Sequence, residues 1–262
     1  DAINEATVLS YLGHNIKLIS KIGSDLGGRF IQEHCDRNGI NRDSFVTDPS
    51  MDTGINIVLI EPDGERSFIT SNRGGLRQLR PEDIDISVFS QSDLLCFASI
   101  FVFPFFSPDD YARIFREAKK QNMILCADMT KCKNQETVED IREALSCLDF
   151  VFPNLEEARM VTRREDPDDV ADAFLDCGVG HAVIKLGKKG CLIKSKNERL
   201  IVPAVPGVHC LDTTGAGDNF AAGFLSGLIK KQPLRECGRI ANETAARCIA
   251  QMGATAWIHT AG

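Results

Sequence analysis

Leu211-Asp212-Thr213-Thr214-Gly215-Ala216-Gly217-Asp218-Asn219-Phe220 runs straight into Ala221-Ala222-Gly223-Phe224-Leu225-Ser226-Gly227-Leu228, a stretch of small and apolar residues that reads as a helix. A Gly-Ala-Gly turn opening a helix aims consecutive backbone N–H groups at one spot. The positive end of the helix dipole adds to them, and the result is an anion site suited to a phosphate. Asp218 falls in the first turn, where an acid either serves the dipole or stands as a base beside the bound anion. Two common phosphate motifs do not explain the stretch. The pattern G-x-x-x-x-G-K-[ST] is absent, and G-x-G-x-x-G fails because Phe220 occupies the place of the third glycine. A dinucleotide fingerprint also belongs in an early βα turn, far from this position.

Upstream of this helix the chain alternates amphipathic stretches with short β-branched or aromatic runs, the pattern of a mostly parallel sheet covered by helices. Strands are expected at Ile16 to Ile22, Leu94 to Ala98, Met123 to Ala127, Phe150 to Phe152, Ala182 to Leu186 and Cys191 to Lys194. Helices are expected at Ala2 to Leu12, Leu26 to Asn38, Pro108 to Gln121, Gln135 to Leu145, Leu155 to Thr162, Pro167 to Cys177, Ala216 to Ile229 and Leu234 to Ala250. Pro108, Pro167 and Pro233 stand at or just before helix starts, where a missing N–H costs nothing. From Ser44 to Ser71 the helical period is lost. Two alternating runs, Thr53 to Ile60 and Glu65 to Thr70, flank Glu61-Pro-Asp-Gly, a hairpin signal. The expected organisation is an α/β body of residues 1–43 and 72–262 with a small antiparallel insert at 44–71 that serves as a lid, a dimer surface, both, or mere decoration.

Composition excludes several functional classes. With 30 Lys and Arg against 37 Asp and Glu, net charge −7, no global basic field exists to hold nucleic acid. A content of 43% hydrophobic and 26% charged residues is that of a globular chain and not of a disordered or fibrous one. The apolar run Leu94 to Phe106 is interrupted by Ser99 and Pro104 and falls short of the roughly 20 residues a spanning helix needs. Neither a membrane span nor an export signal is therefore expected. The ten cysteines are scattered singly without a C-x-x-C pair and read as reduced core thiols of a cytoplasmic protein. The five histidines show no metal-ligand spacing, and Phe101, Phe103, Phe105 and Phe106 read as core and pocket wall.

Asp212-Thr-Thr-Gly-Ala-Gly-Asp218 resembles the C-terminal signature of the ribokinase-like, or PfkB-type, carbohydrate kinases. Other segments agree in order along essentially the whole chain. Asp1-Ala-Ile-Asn4-Glu-Ala, Leu12-Gly13 and Ile22-Gly23-Ser-Asp25-Leu-Gly27 are similar to that family's N-terminal signature from just after its Gly-Gly pair. Pro153-Asn154-Leu-Glu-Glu157 resembles its N-x-x-E motif, and Lys185-Leu-Gly187-Lys-Lys-Gly190 its nucleotide-side strand and turn. Thr53-Gly54 and Asp63-Gly64-Glu65-Arg66 fall where the family keeps its lid hairpin. The family's Gly-Gly pair, first strand and early substrate-binding aspartate are expected to lie outside these 262 residues.

The resemblance implies a three-layer α/β/α body with a β lid, and an ATP-dependent kinase acting on a hydroxymethyl of a sugar. A nucleoside kinase and a non-catalytic nucleotide-binding regulator stand as alternatives. Asp218 would be the catalytic base, and the N–H groups of Gly215, Ala216 and Gly217 would stabilise the transferring phosphoryl group. Asn154 and Glu157, one helical turn apart, would act on Mg²⁺ and its waters. Lys185, Gly187, Gly190, Thr213, Asn242 and Gly253 would line the ATP site, and Asn4 and Arg73 would touch the substrate. Asp212 and Thr214, with the Cys248 to Gly253 region, resemble parts of a monovalent-cation site for K⁺, although Trp257 stands about where some members place a small hydroxyl residue. At Asp128-Met-Thr-Lys131, where several sugar-acid and fructose kinases show D-x-N-x-R, Thr130 and Lys131 depart from the pattern. The resemblance further implies a homodimer built lid to lid.

Overall fold

The computed structural model describes residues 1–60, 66–70 and 77–259. Its contacts divide into two compact units. The first comprises Asp1–His14, Ile86–Val102 and Phe106–Gly262, and the second Asn15–Asp85 with Phe103–Phe105.

The first unit is built on a six-stranded sheet of β5 (Leu94–Ile100), β6 (Ile124–Met129), β7 (Phe150–Phe152), β8 (His181–Lys185), β9 (Cys191–Lys194) and β10 (Arg199–Val202), in the order β10-β9-β8-β7-β6-β5. Strands β5 to β8 run parallel, and β9 and β10 add an antiparallel edge. All of β7 and five residues of β6 are buried, as expected for parallel strands covered on both faces. Helices α1 (Ala2–Tyr11), α7 (Ala216–Ile229) and α8 (Leu234–Ile249) pack together, α1 against β5 and α8 against β9 and β10. Helix α3 (Pro108–Lys120) packs on β6 with the short α4 (Arg142–Leu145), while α5 (Leu155–Thr162) and α6 (Pro167–Asp176) pair over β8. The expected three-layer α/β/α arrangement with a mostly parallel sheet is what the chain adopts.

Helix α7 is buried continuously from Asn219 to Gly227, because α8 lies directly against it. Gly223 and Gly227, one turn apart, permit this approach: a Cβ on the first would stand 2.8 Å from the Ala241 Cα and on the second 2.9 Å from the Cys237 Cα.

In the second unit, β1 (Ser20–Gly23) pairs in parallel with β2 (Phe45–Asp48), and α2 (Leu26–Arg37) follows β1. The antiparallel hairpin is present as β3 (Asn56–Ile60) and β4 (Arg66–Thr70), with Ile57 opposite Ile69. Its turn, Asp63 to Glu65 included, lies outside the described residues. Asp25 explains the Gly-Ser-Asp-Leu-Gly motif locally. Its carboxylate caps α2 through the Gly28 N–H at 2.8 Å and accepts the Thr53 N–H at 2.9 Å and hydroxyl at 2.7 Å, so one side chain anchors the start of α2 and the approach to β3. These bonds, that of Gly28 first, hold Asp25 below the usual carboxylate range.

Three expectations about elements require correction. The segment from Ile16 becomes regular strand only at Ser20, and before that Lys17 forms an isolated bridge to Asn41. Of Gln135 to Leu145 only Arg142–Leu145 is helical, because Val138 donates its N–H to the Val161 carbonyl at 3.0 Å and Asp140 turns back onto the Thr137 N–H at 2.7 Å and hydroxyl at 2.8 Å. Strands β2 and β10 form although no periodicity marked them, each as a four-residue strand with a single neighbour.

Candidate active site

The turn that opens α7 is locked from several directions. Gly215 takes φ +76°, where a Cβ would overlap the Ala254 side chain, so only glycine fits. Asp212, 5% exposed, accepts the Thr214 N–H on Oδ1 and the Gly253 N–H on Oδ2, both at 2.9 Å, and thereby ties the two loops together. Asn219 donates to the carbonyls of Gly215 and Ala254, each at 2.8 Å, and accepts the Trp257 indole N–H at 2.8 Å. The Cys248 thiol faces the Thr214 and Ala254 carbonyls at 3.3 and 3.4 Å, and burial pushes it up to about 12. Of the three N–H groups expected to face a phosphoryl group, that of Ala216 is turned back to the Thr213 carbonyl at 3.2 Å.

Around the first turn of α7 the fold gathers charge from four elements. The Asp218 side chain, 13% exposed, accepts the Asn4 amide of α1 at 2.6 Å. Lys185, at the end of β8, holds its ammonium 2.9 Å from Asp128, at the end of β6, and a Cβ on Gly217 would lie 3.3 Å from that nitrogen. Cation and helix N-terminus therefore reinforce one another as an anion site. Burial works against the charge on Lys185, but Asp128 and Glu157 outweigh it and hold the group above the usual lysine range. Burial pushes Asp128 up to about 6 against the pull of Lys185. Glu5, in α1 and 4% exposed, is pushed up to about 8 by burial first and then by the charges of Asp128 and Asp218.

Asn154 and Glu157 form a reciprocal capping box at the start of α5, the Glu157 N–H on Asn154 Oδ1 and the Asn154 N–H on Glu157 Oε2, both at 2.9 Å. This box adjoins Lys185, whose backbone bridges to Asn154. Burial raises Glu157 while Lys185 draws it down. Thus Asn4, Asp218, Lys185, Asp128, Asn154 and Glu157 belong to one neighbourhood. Asn242 lies elsewhere in the unit, donating to the Val202 and Pro203 carbonyls at 3.2 and 3.1 Å, beside the place where a Cβ on Gly190 would overlap Val202. Gly187 begins the turn between β8 and β9, and Thr213 is exposed. Arg73 lies outside the described residues.

Sequence reasoning missed Glu5, the Asp128 to Lys185 ion pair and the Asn219 to Trp257 clamp. The one available signal was Glu5 itself, an acid leading the apolar run Ala6-Thr-Val-Leu9 with no basic residue on its helix. Lys131, departing from the D-x-N-x-R pattern, pairs with Glu156 at 2.7 Å and is turned to solvent.

A family model described as pfkB family carbohydrate kinase matches residues 1–261. The chain belongs to this family. An uncharacterised sugar kinase of Archaeoglobus fulgidus is 30% identical to this pfkB kinase over 247 residues, 94% of this chain and 96% of the relative. A cytidine kinase of Thermococcus kodakarensis is 27% identical, with 96% and 87% covered. The structure of Arabidopsis thaliana ribokinase complexed with ribose and ATP shares the fold with a TM-score of 0.81 at 22% identity, covering 97% of this chain and 82% of that one. The ribokinase-like fold is thus shown, and by family this pfkB protein is an ATP-dependent carbohydrate kinase.

Proposed function

We propose that the enzyme transfers the γ-phosphoryl group of ATP to a hydroxymethyl of a neutral sugar or sugar derivative, with Asp218 as the base. The observation that carries this is Asp218 itself, in the first turn of a helix whose N-terminus is reinforced by a buried ammonium, with its carboxylate aimed by the Asn4 amide at 2.6 Å. An acceptor hydroxyl placed between Asp218 and the phosphoryl group loses its proton to the carboxylate as the oxygen attacks. The N–H groups at Gly215 and Gly217, with Lys185, then face the charge on the transferring group. The ATP and ribose of the Arabidopsis ribokinase support this choice of donor and acceptor class.

Mg²⁺ fits an oxygen donor set such as Asn154 and Glu157, and there it would neutralise the triphosphate. Because Asn154 Oδ1 and Glu157 Oε2 already cap α5, these side chains serve the ion through its waters. Lys185, Gly187, Gly190, Thr213, Asn242 and Gly253 supply the nucleotide side, with Lys185 on the phosphates and Asn242 and Gly190 bracing the Val202 to Pro203 backbone.

K⁺ fits less well. Both oxygens of Asp212 accept backbone N–H groups, the Thr214 and Ala254 carbonyls face a thiol, and the Trp257 indole only donates. These groups act as a loop staple in this reading. Rates of ADP release should therefore agree within about twofold in potassium, sodium and choline salts, since no ion-dependent contact is lost. A tenfold rise in K⁺ alone would assign Asp212 and Thr214 to a cation after all.

The acceptor is a neutral polyol because the base Asp218 is itself an acid and the nearby cation Lys185 is engaged by Asp128. A phosphorylated or carboxylate acceptor would meet like charge. Ile55, Ile57, Leu59 and Ile69 of the hairpin are each about half exposed and give the insert at 44–71 an apolar face suited to a lid that clasps a second copy. All ten cysteines are free, which accords with a cytoplasmic setting, and among the described residues no helix is long and apolar enough to cross a membrane. Coupled ADP release with MgATP against pentoses, hexoses, sugar acids, sugar phosphates and nucleosides tests the reading. Turnover confined to neutral sugars supports it, turnover of nucleosides alone moves the acceptor class, and ATP binding without any turnover makes the protein a nucleotide-binding regulator.

A further inference from the structure

Glu5 has no role in the proposed transfer, yet it is as deeply buried as Asp128 within the charged cluster. Carboxylate oxygens of Glu5, Asp128 and Asp218 come within 4.8 Å of one another, the one such grouping of metal-ligating side chains found among the described residues. Their partners are unequal. Asp128 has the Lys185 ammonium at 2.9 Å and the Met129 N–H at 2.7 Å, and Asp218 has the Asn4 amide. Glu5 Oε2 has only the Cys96 thiol, at 3.4 Å, and its buried Oε1 has no hydrogen-bond partner at all. Three ionised carboxylates beside one ammonium would leave two uncompensated charges in a buried place, which a fold avoids by binding a proton or a cation.

Resting on the kinase reading above, we propose that Glu5 is a positioning residue that works as a neutral carboxylic acid, so that it adds no second negative charge to Asp218 beside the incoming phosphoryl group. A buried acid whose one donor is a weak thiol is the member of the cluster that takes the first proton. Held there, the proton spares the cluster a further buried charge and keeps a second negative charge away from the triphosphate. Burial pushes the Cys96 and Cys126 thiols well up, Asp128 and Glu157 hold Lys185 above its usual range, burial pushes Asp128 up to about 6, and burial with the charges of Asp128 and Asp218 pushes Glu5 up to about 8 against the pull of the Asp1 α-amino group. Within this cluster, Glu5 is the carboxyl that releases its proton in the mildly alkaline range. Raised in the fold, it holds the proton below that range and loses it as pH climbs through 8.

The test is the pH dependence of kcat for wild type and Glu5→Gln, together with infrared difference spectra of the protonated carboxyl band. Wild type should lose activity by about tenfold from pH 8 to pH 9.5, with loss of a protonated-carboxyl band over the same range. Glu5→Gln, whose amide is a permanent donor, should keep neutral-pH kcat within about threefold, lack the band and lack the alkaline loss. An unchanged alkaline limb in Glu5→Gln, or a wild-type spectrum with no protonated carboxyl at neutral pH, overturns the proposal. So does Mn²⁺ binding without nucleotide that Glu5→Gln abolishes, because the cluster is then a cation site. If no acceptor is phosphorylated the kinase reading fails and this role falls with it. The wild-type infrared titration, which needs neither turnover nor a folded variant, tells that failure apart from a wrong protonation state.

Discussion

Asp218→Ala should lower kcat by about 10³-fold while leaving ATP affinity within a factor of about three. The expectation follows from where the carboxylate stands. It is fixed by the Asn4 amide at 2.6 Å, is largely buried, and belongs to the first turn of the helix whose N-terminus is proposed to meet the phosphoryl group. Removing it takes away a proton acceptor needed only as the acceptor hydroxyl attacks, so the loss falls on kcat and not on nucleotide binding. Asp218→Asn keeps the size of the side chain and should lose nearly as much, since an amide does not accept the proton. Isothermal titration with ATP and steady-state ADP release give the two numbers. Equal loss of both would mean that Asp218 serves the helix rather than the reaction.

Asp128→Ala should destabilise the fold by about 3–5 kcal/mol, because it leaves the Lys185 ammonium buried without its partner. The pair is 5% and 12% exposed at Asp128 and Lys185, so water compensates little. Burial already pushes Asp128 up to about 6 against the pull of Lys185, so its ionised form depends on that partner. Because this carboxyl is raised in the fold, its protonated form favours folding below about 4. That favourable share is lost as pH rises through 6. The double variant Asp128→Leu with Lys185→Met should recover most of the stability measured by urea unfolding. It should not recover activity, since the ammonium beside Gly217 is gone. A double variant as unstable as the single one would refute the ion-pair account.

The sequence was most legible where backbone geometry admits few residues. Gly215, Gly217 and Asp218 could be placed because a positive φ at Gly215 and the helix start that follows demand small residues and an acid in this order. Asn154 and Glu157 were placed correctly on one helical face, but their capping of α5 is as strong a reason for the N-x-x-E pattern as any ion. The helix expected over Gln135 to Leu145 failed because its first half is held by a backbone bond to Val161, a contact that no local pattern announces. Glu5, Asp128 and Lys185 lie 123 and 57 residues apart along the chain, and only the sheet order brings their charges together. Their partnership is a property of topology, while their burial was hidden by the ordinary habit of reading acids as surface groups. Asn219 and Trp257 were missed for the same reason, as each reads alone as helix or core and only together as a clamp on the loop above Gly215.

The most direct test of the central claim is to identify the product, by phosphorus NMR and mass spectrometry, after the enzyme has acted on MgATP with the best neutral sugar from the acceptor panel. A phosphomonoester on a primary hydroxyl, formed in step with ADP and absent with Asp218→Ala, is the result expected. ADP formed with free phosphate and no sugar ester, or an ester yield unchanged by Asp218→Ala, would contradict the account.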